Sequence, residues 1–288
     1  LALQVRGNLD QLNLSSFRIK TGGNLIQGSA LLSHPTTPEK ISASLKLNEL
    51  TTSRNDLKAL LPPGLIADSL WHYIPEKLTV RGTLDGSMNS IRPNLNLQTS
   101  FGNLAIKGFL DNPTDKINAR YDLTLNTSGL VLDRIMEDTT FGNVAGEVSV
   151  KGRGFDPQTL QADVSATLRE AGFKGYAYND INLLGIMDHG EVKANLESHD
   201  PNIDLDTDIS FLYTSKLQNI KVKSDIRQLD LHALGFMDSA FSAKGNMDID
   251  FPVFDSGHIE GKGLLNDIYL SFGNKTYYLD TFDVNAHY

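Results

Sequence analysis

The sequence predicts an all-β fold: an elongated, curled antiparallel sheet forming a trough, with a few short helices. Three observations carry that prediction. Apolar and polar residues alternate along most of the chain, the period of strands with one buried face. A six-residue pattern of apolar, basic, Gly, any, apolar and acidic residues recurs. It runs from Val5 to Asp10, from Val80 to Asp85 and from Ile106 to Asp111, more loosely from Ala243 to Asp248, and with one inserted residue from Val150 to Asp156. Finally, the glycine of the pattern falls in the apolar phase, where packing would want a side chain. Such a glycine marks a bend, a bulge or a close approach by another group.

Taken in order, Leu1, Leu3, Val5, Gly7 and Leu9 alternate, and Leu12 and Leu14 open a second strand that ends at the turn Thr21-Gly22-Gly23-Asn24. Leu25 to Leu32 form the next strand, and after a loop marked by Pro35 and Pro38 the residues Ile41, Ala43, Leu45 and Leu47 alternate again. Ser53-Arg54-Asn55-Asp56 is a helix start, Pro62-Pro63-Gly64 a stop, and a second short helix is expected near Ile66 to Tyr73. Trp71 fits a helix covering one end of the sheet.

A second unit then repeats the first. Leu78, Val80, Gly82 and Leu84 open it, Leu95, Leu97 and Phe101 follow, and Leu104, Ile106, Gly108 and Leu110 come next. Ile117, Ala119, Tyr121, Leu123 and Leu125 correspond to Ile41 through Leu47, and Leu130 to Met136 falls where the first short helix fell. A third unit runs from Val144, Gly146, Val148 and Val150, with Gly152 the glycine of its hexamer, through Val164, and reaches Leu229 to Phe236, where another short helix is expected. Phe241, Ala243 and Gly245 begin a fourth. The expected division is 1–77, 78–140, 141–238 and 239–288, all parts of one continuous sheet and a fragment of something longer. Unit starts at Val5, Val80, Val150 and Ala243 are unevenly spaced, which argues against an equal-coil solenoid.

With 288 residues the chain can bury a sizeable core. There is no cysteine, which excludes disulfides, thiolate metal sites and a Cys nucleophile. A net charge of -9 from 26 basic and 35 acidic residues argues against nucleic acid as a partner. Neither a signal peptide nor a transmembrane-length apolar run is present. Catalytic motifs are missing as well: no nucleophile elbow, no P-loop, no His-Glu-x-x-His. The seven histidines are scattered singly, and Asp204, Asp206 and Asp208 share one strand face that reads as solvated rather than calcium-binding. No cofactor, metal or catalytic residue is expected. Arg6, Arg81, Lys107, Lys151 and Lys244 lie opposite the glycine phase, where they solubilise the sheet.

Function is therefore expected on the apolar face. Its lining is expected to comprise Val5, Leu9, Leu45, Leu78, Val80, Leu84, Leu95, Leu97, Phe101, Leu104, Ile106, Ile117, Tyr121, Leu123, Val148, Val150 and Val164. Gly7, Gly82, Gly108, Gly152 and Gly245 are expected to leave space in it. A dry sandwich core would favour large facing residues instead. The alternatives are a β-rich structural or adhesion module that binds a protein or glycan, and a hydrolase or lyase on a β-helix.

The recurring glycine units, a Gly-Asn turn with its following strand, and the strand-to-helix segments Leu45 to Leu50, Leu123 to Asn126 and Asp225 to Leu231 together resemble the AsmA-like superfamily of bridge-like lipid transfer proteins. That resemblance spans nearly the whole chain. It implies a β-taco whose hydrophobic groove carries phospholipid acyl chains between inner and outer membranes and supports outer-membrane protein assembly. It further implies a periplasmic location, an inner-membrane tether outside this chain, and contact with an outer-membrane barrel assembly protein through regions outside it. No enzymatic activity is implied.

Overall fold

A computed structural model describes residues 1–37, 39–60, 71, 73–214, 217–255 and 258–287. Among them the chain is all-β, with two short helices, and it divides into two compact units, Leu1–Asp138 and Thr139–Tyr288. The first unit contains β1 (Ala2–Gly7), β2 (Gln11–Thr21), β3 (Asn24–Ser33), β4 (Ser42–Ser53), α1 (Arg54–Leu60), β5 (Lys77–Ser87), β6 (Ser90–Thr99), β7 (Gly102–Asp111), β8 (Arg120–Val131) and α2 (Leu132–Met136). The second contains β9 (Phe141–Arg153), β10 (Gln161–Phe173), β11 (Tyr176–Asp188), β12 (Glu191–Asp200), β13 (Ile203–Tyr213), β14 (Leu217–Asp230), β15 (Phe241–Asp255), β16 (His258–Phe272) and β17 (Lys275–His287).

Within each unit every strand pairs antiparallel with the next, from β1 to β8 and from β9 to β17. Such a meander needs only short turns, and the sequence supplies them. Asn8 accepts hydrogen bonds at Oδ1 from the backbone N–H groups of Asp10 and Gln11, both at 2.9 Å, and closes the β1–β2 turn. Asp115 does the same before β8, accepting from Ile117 at 3.0 Å and Asn118 at 2.9 Å. Leu9 and Ile117 therefore sit in turns rather than strands, and are 73% and 58% exposed. Phe101 also belongs to a turn, between β6 and β7, but is buried.

Helix α1 starts where the sequence predicts. Ser53 Oγ accepts from the Asp56 N–H at 3.1 Å and donates to the Asp56 carboxylate at 2.7 Å, a reciprocal cap. The second helix expected near Ile66 to Tyr73 falls mostly on residues 61–70 and 72, outside the described ones. Lys58 Nζ lies 5.6 Å from the ring centre of Trp71. The expected helix over Leu229 to Phe236 is not formed. There β14 runs on to Asp230, whose carboxylate accepts from the Ala233 N–H at 2.9 Å, and Gly235, at φ 76°, ends the turn.

The recurring glycines have a backbone reason to be glycine. Gly82 and Gly108 adopt φ of 133° and 139°, and a Cβ at either would overlap a carbonyl oxygen of the following strand, Asn94 or Asp122. Gly7 and Gly245 share the conformation. This is the close approach that a glycine in the apolar phase implies: it lets neighbouring backbones close up. Register shifts lie nearby, such as that between Leu47 and Leu50, where Asn48 and Glu49 together face Arg81. Gly152 has no positive φ and simply pairs with Ala162.

In the second unit the turn between β12 and β13 is fastened by Asp200, 1% exposed. Its carboxylate accepts hydrogen bonds from the Tyr176 hydroxyl, from the Asn179 N–H and side-chain amide at 3.0 Å each, and from the Asn202 N–H at 2.9 Å. Burial pushes its pKa up, but the bonds from Tyr176, Asn202 and Asn179 together outweigh burial, so the carboxyl titrates below its ordinary value.

Three outcomes follow. Gly82→Ala will destabilise the chain by about 2 kcal/mol or more in urea unfolding, from backbone strain and carbonyl overlap. Gly129→Ala, where a Cβ meets nothing within 4 Å, will stay within about 0.5 kcal/mol of the parent. For Asp200 the folded pKa is depressed, so its stabilisation is complete above the unfolded value of about 3.9 and disappears as pH falls through the folded one. Asp200→Asn will cost about 2 kcal/mol at neutral pH, and thermal melts of parent and variant will converge as pH drops below about 3.9.

Candidate functional site: the apolar faces

The ladders place the alternating apolar residues in rows that cross each unit. In the first, Ile19, Ile26, Leu50, Val80, Leu97 and Leu104 stand opposite one another on consecutive strands. A second row is Gly28, Leu47, Gly82, Leu95, Ile106 and Leu125. A third is Val5, Leu14, Ala30, Leu45, Leu84 and Pro93, and a fourth runs through Ala43, Gly86, Ile91, Leu110 and Tyr121. Leu78 and Leu123 join the same face, opposite Thr52 and Gly108.

In the second unit one row passes through Val150, Val164, Gly185, Ala194, Ile209, Val222, Ile249, Gly263 and Val284. Beside it run Val148, Ala166, Leu183, Leu196, Thr207, Ser224, Met247, Leu265 and Phe282. Of the expected lining residues, all but Leu9, Phe101 and Ile117 thus occupy strand positions on an apolar face. Sequence reading did not assign Ile19, Ile26, Leu50 or the rows of β11 to β17 to the lining. Leu50 is in phase only because the bulge at Asn48 and Glu49 resets the alternation after Leu47, and its trace in the sequence is the spacing Leu45, Leu47, Leu50.

These faces are not packed dry. Most row residues are only half-buried, and among the described residues the buried apolar side chains are few, Val80, Tyr121 and Ile268 among them. Total accessible surface is 17724 Å². Two separate compact bodies of half this mass would together expose roughly 14,700 Å². At the strand ends of β4 to β6 the small pair Ala43 and Gly86 leaves an apolar cavity of about 360 Å³, walled by Ile41, Leu45, Leu84, Met88 and Ile91.

The opposite faces are wet and carry the charge. Arg6, Arg81, Lys107, Lys151 and Lys244 are all exposed there. Arg81 bridges β4 and β6, donating to Glu49 at 3.0 Å and to Gln98 at 3.2 Å. Its guanidinium is the main reason the Glu49 carboxyl titrates below its ordinary value. Asp204 is held low in the same way, first by Arg227 at 2.7 Å and then by His199, while Asn195 donates to Asp206 and Asp208. Among the described residues no cluster of His, Asp and Glu has metal-holding geometry, and no helix is long and apolar enough to cross a membrane.

A half-covered face has a measurable signature. Leu97→Ala will cost about 1 to 1.5 kcal/mol in urea unfolding, below the roughly 2–5 kcal/mol of a leucine in a packed core, because part of its surface already meets water. A cost inside the packed-core range would show this face to be covered. Comparison with protein families, with curated proteins and with solved structures finds no match to this chain in any of the three.

Proposed function

We propose that this chain is a non-enzymatic lipid-binding segment of an AsmA-like protein, of the translocation-and-assembly-module branch, whose apolar faces carry phospholipid acyl chains. The observation that supports the reading is the long, largely apolar rows, which cross consecutive strands of each unit yet stay only half-buried. A monomer gains nothing from leaving so much contiguous apolar surface in water, and large exposed patches of this kind mark binding surfaces. Acyl chains suit it because it offers aliphatic side chains with few directional groups, and each Å² of apolar surface removed from water contributes about 25 cal/mol. Binding of this kind tolerates different chains and needs no energy source, so direction has to come from elsewhere.

In this reading the protein works in the periplasm, tethered to the inner membrane. It passes phospholipid between inner and outer membranes and supports outer-membrane protein assembly, meeting a barrel assembly protein through regions outside this chain. Its charge balance of -9 disfavours nucleic acid.

The test is mass spectrometry of the organic extract from detergent-free protein, comparing the parent with Ile106→Asp. Phospholipid is expected with the parent and strongly reduced in the variant, whose strand pairing, followed by circular dichroism, stays intact. Absence of lipid from both proteins would overturn the reading and favour a protein or glycan partner.

A further inference from the structure

Thr207 and Ser224 stand opposite each other on β13 and β14, in the middle of an apolar row of the second unit. Leu196 and Met247 flank them across the ladders, and Leu205, Ile209, Val222 and Ile226 flank them along their own strands. These six neighbours are half-buried, whereas Thr207 and Ser224 are only 7% and 6% exposed. The two short polar side chains form the floor of a notch ringed by longer aliphatic ones.

Their hydrogen-bond balance does not close. The hydroxyls bond each other at 2.7 Å, which uses one of their two O–H donors. Other buried hydroxyls find an amide or backbone oxygen: Thr52 donates to Asn24 at 2.5 Å, Thr127 to the Asn103 carbonyl at 2.7 Å, Ser198 to the Ile203 carbonyl at 2.8 Å. For the second O–H of the Thr207–Ser224 pair no protein acceptor is present among the described residues. A donor kept from water without an acceptor is unfavourable, and at 7% and 6% exposure Thr207 and Ser224 are largely kept from it.

We propose that this pair is a hydrogen-bond donor for an acyl carbonyl, the one polar group that interrupts an otherwise aliphatic ligand on this face. The inference rests on the lipid-binding reading above and adds a fixed point to it. Chains lying along the face slide without preference, and the notch sets where the ester stops. A neutral ester fits better than a free carboxylate, since the ring supplies no cation to offset a buried negative charge.

The experiment measures displacement of the fluorescent probe N-phenyl-1-naphthylamine by methyl dodecanoate, by dodecanoate and by tetradecane, a hydrocarbon of chain length similar to the ester. Parent protein is compared with Thr207→Val, Ser224→Ala and the double variant. In the double variant the ester-to-hydrocarbon affinity ratio is expected to fall about five- to tenfold while hydrocarbon affinity holds, the effect of one lost hydrogen bond. An unchanged ratio would overturn the inference and leave the lipid reading standing. If none of the three ligands displaces the probe from the parent, both fall. A loss larger for dodecanoate than for the ester would overturn the ester assignment. Each single variant keeps one hydroxyl, whose O–H is freed when its partner is removed, so Thr207→Val and Ser224→Ala are each expected to hold the parent ratio, and circular dichroism checks that the double variant keeps its strands.

Discussion

Ladder register is the constraint on which the rest of this structure depends. Each strand is apolar on one face only, and side chains alternate with a period of two, so a slip of one residue would turn a strand's leucines to the charged side. The rows from Ile19 to Leu104 and from Val150 to Val284 exist because the ladders between them, bulges included, bring these residues opposite one another. Consecutive pairing makes this robust. The turns set by Asn8 and Asp115 fix the starting points of the β1–β2 and β7–β8 ladders, and cross-strand pairs such as Glu49 with Arg81 reinforce the alignment on the wet side.

Bulges complicate that alignment, and the structure uses them. At Asn48 and Glu49 two residues of β4 face one of β5, so the apolar phase restarts one residue late and still lands on the same face. Gly82 of the recurring hexamer stands next to this site, in a conformation open to glycine and closed to other residues by the Asn94 carbonyl. Bulges increase local twist and bend the strand that carries them. Under the proposed function, stability and binding pull in different directions on the apolar face. Surface left half-exposed contributes less to folding, and that same surface is what an acyl chain would cover.

Polar groups within these faces show how narrow the tolerance is. Asp200 is buried and fully supplied with donors, which turns a costly charge into a fastener for one turn. Thr207 and Ser224 are also buried but share a single bond, so they differ from every other buried hydroxyl named above. The two cases separate a polar group that serves the fold from one with capacity left over.

The all-β class, the meander of short strands and the helix at Arg54 were legible in the sequence, because alternation and capping are local properties that survive without tertiary context. Leu9 and Ile117 were misread as strand residues because their apolar character continued the alternation into turns that Asn8 and Asp115 decide. The helix expected after Leu229 failed because Asp230 and Gly235 close a single turn there. What the hexamer glycines are for depended on a neighbouring strand's carbonyl, which no local pattern contains. The rows themselves, the notch at Thr207 and Ser224 and the hub at Asp200 were decided by the tertiary structure alone, since each joins residues from different strands through a register that only the paired backbone sets.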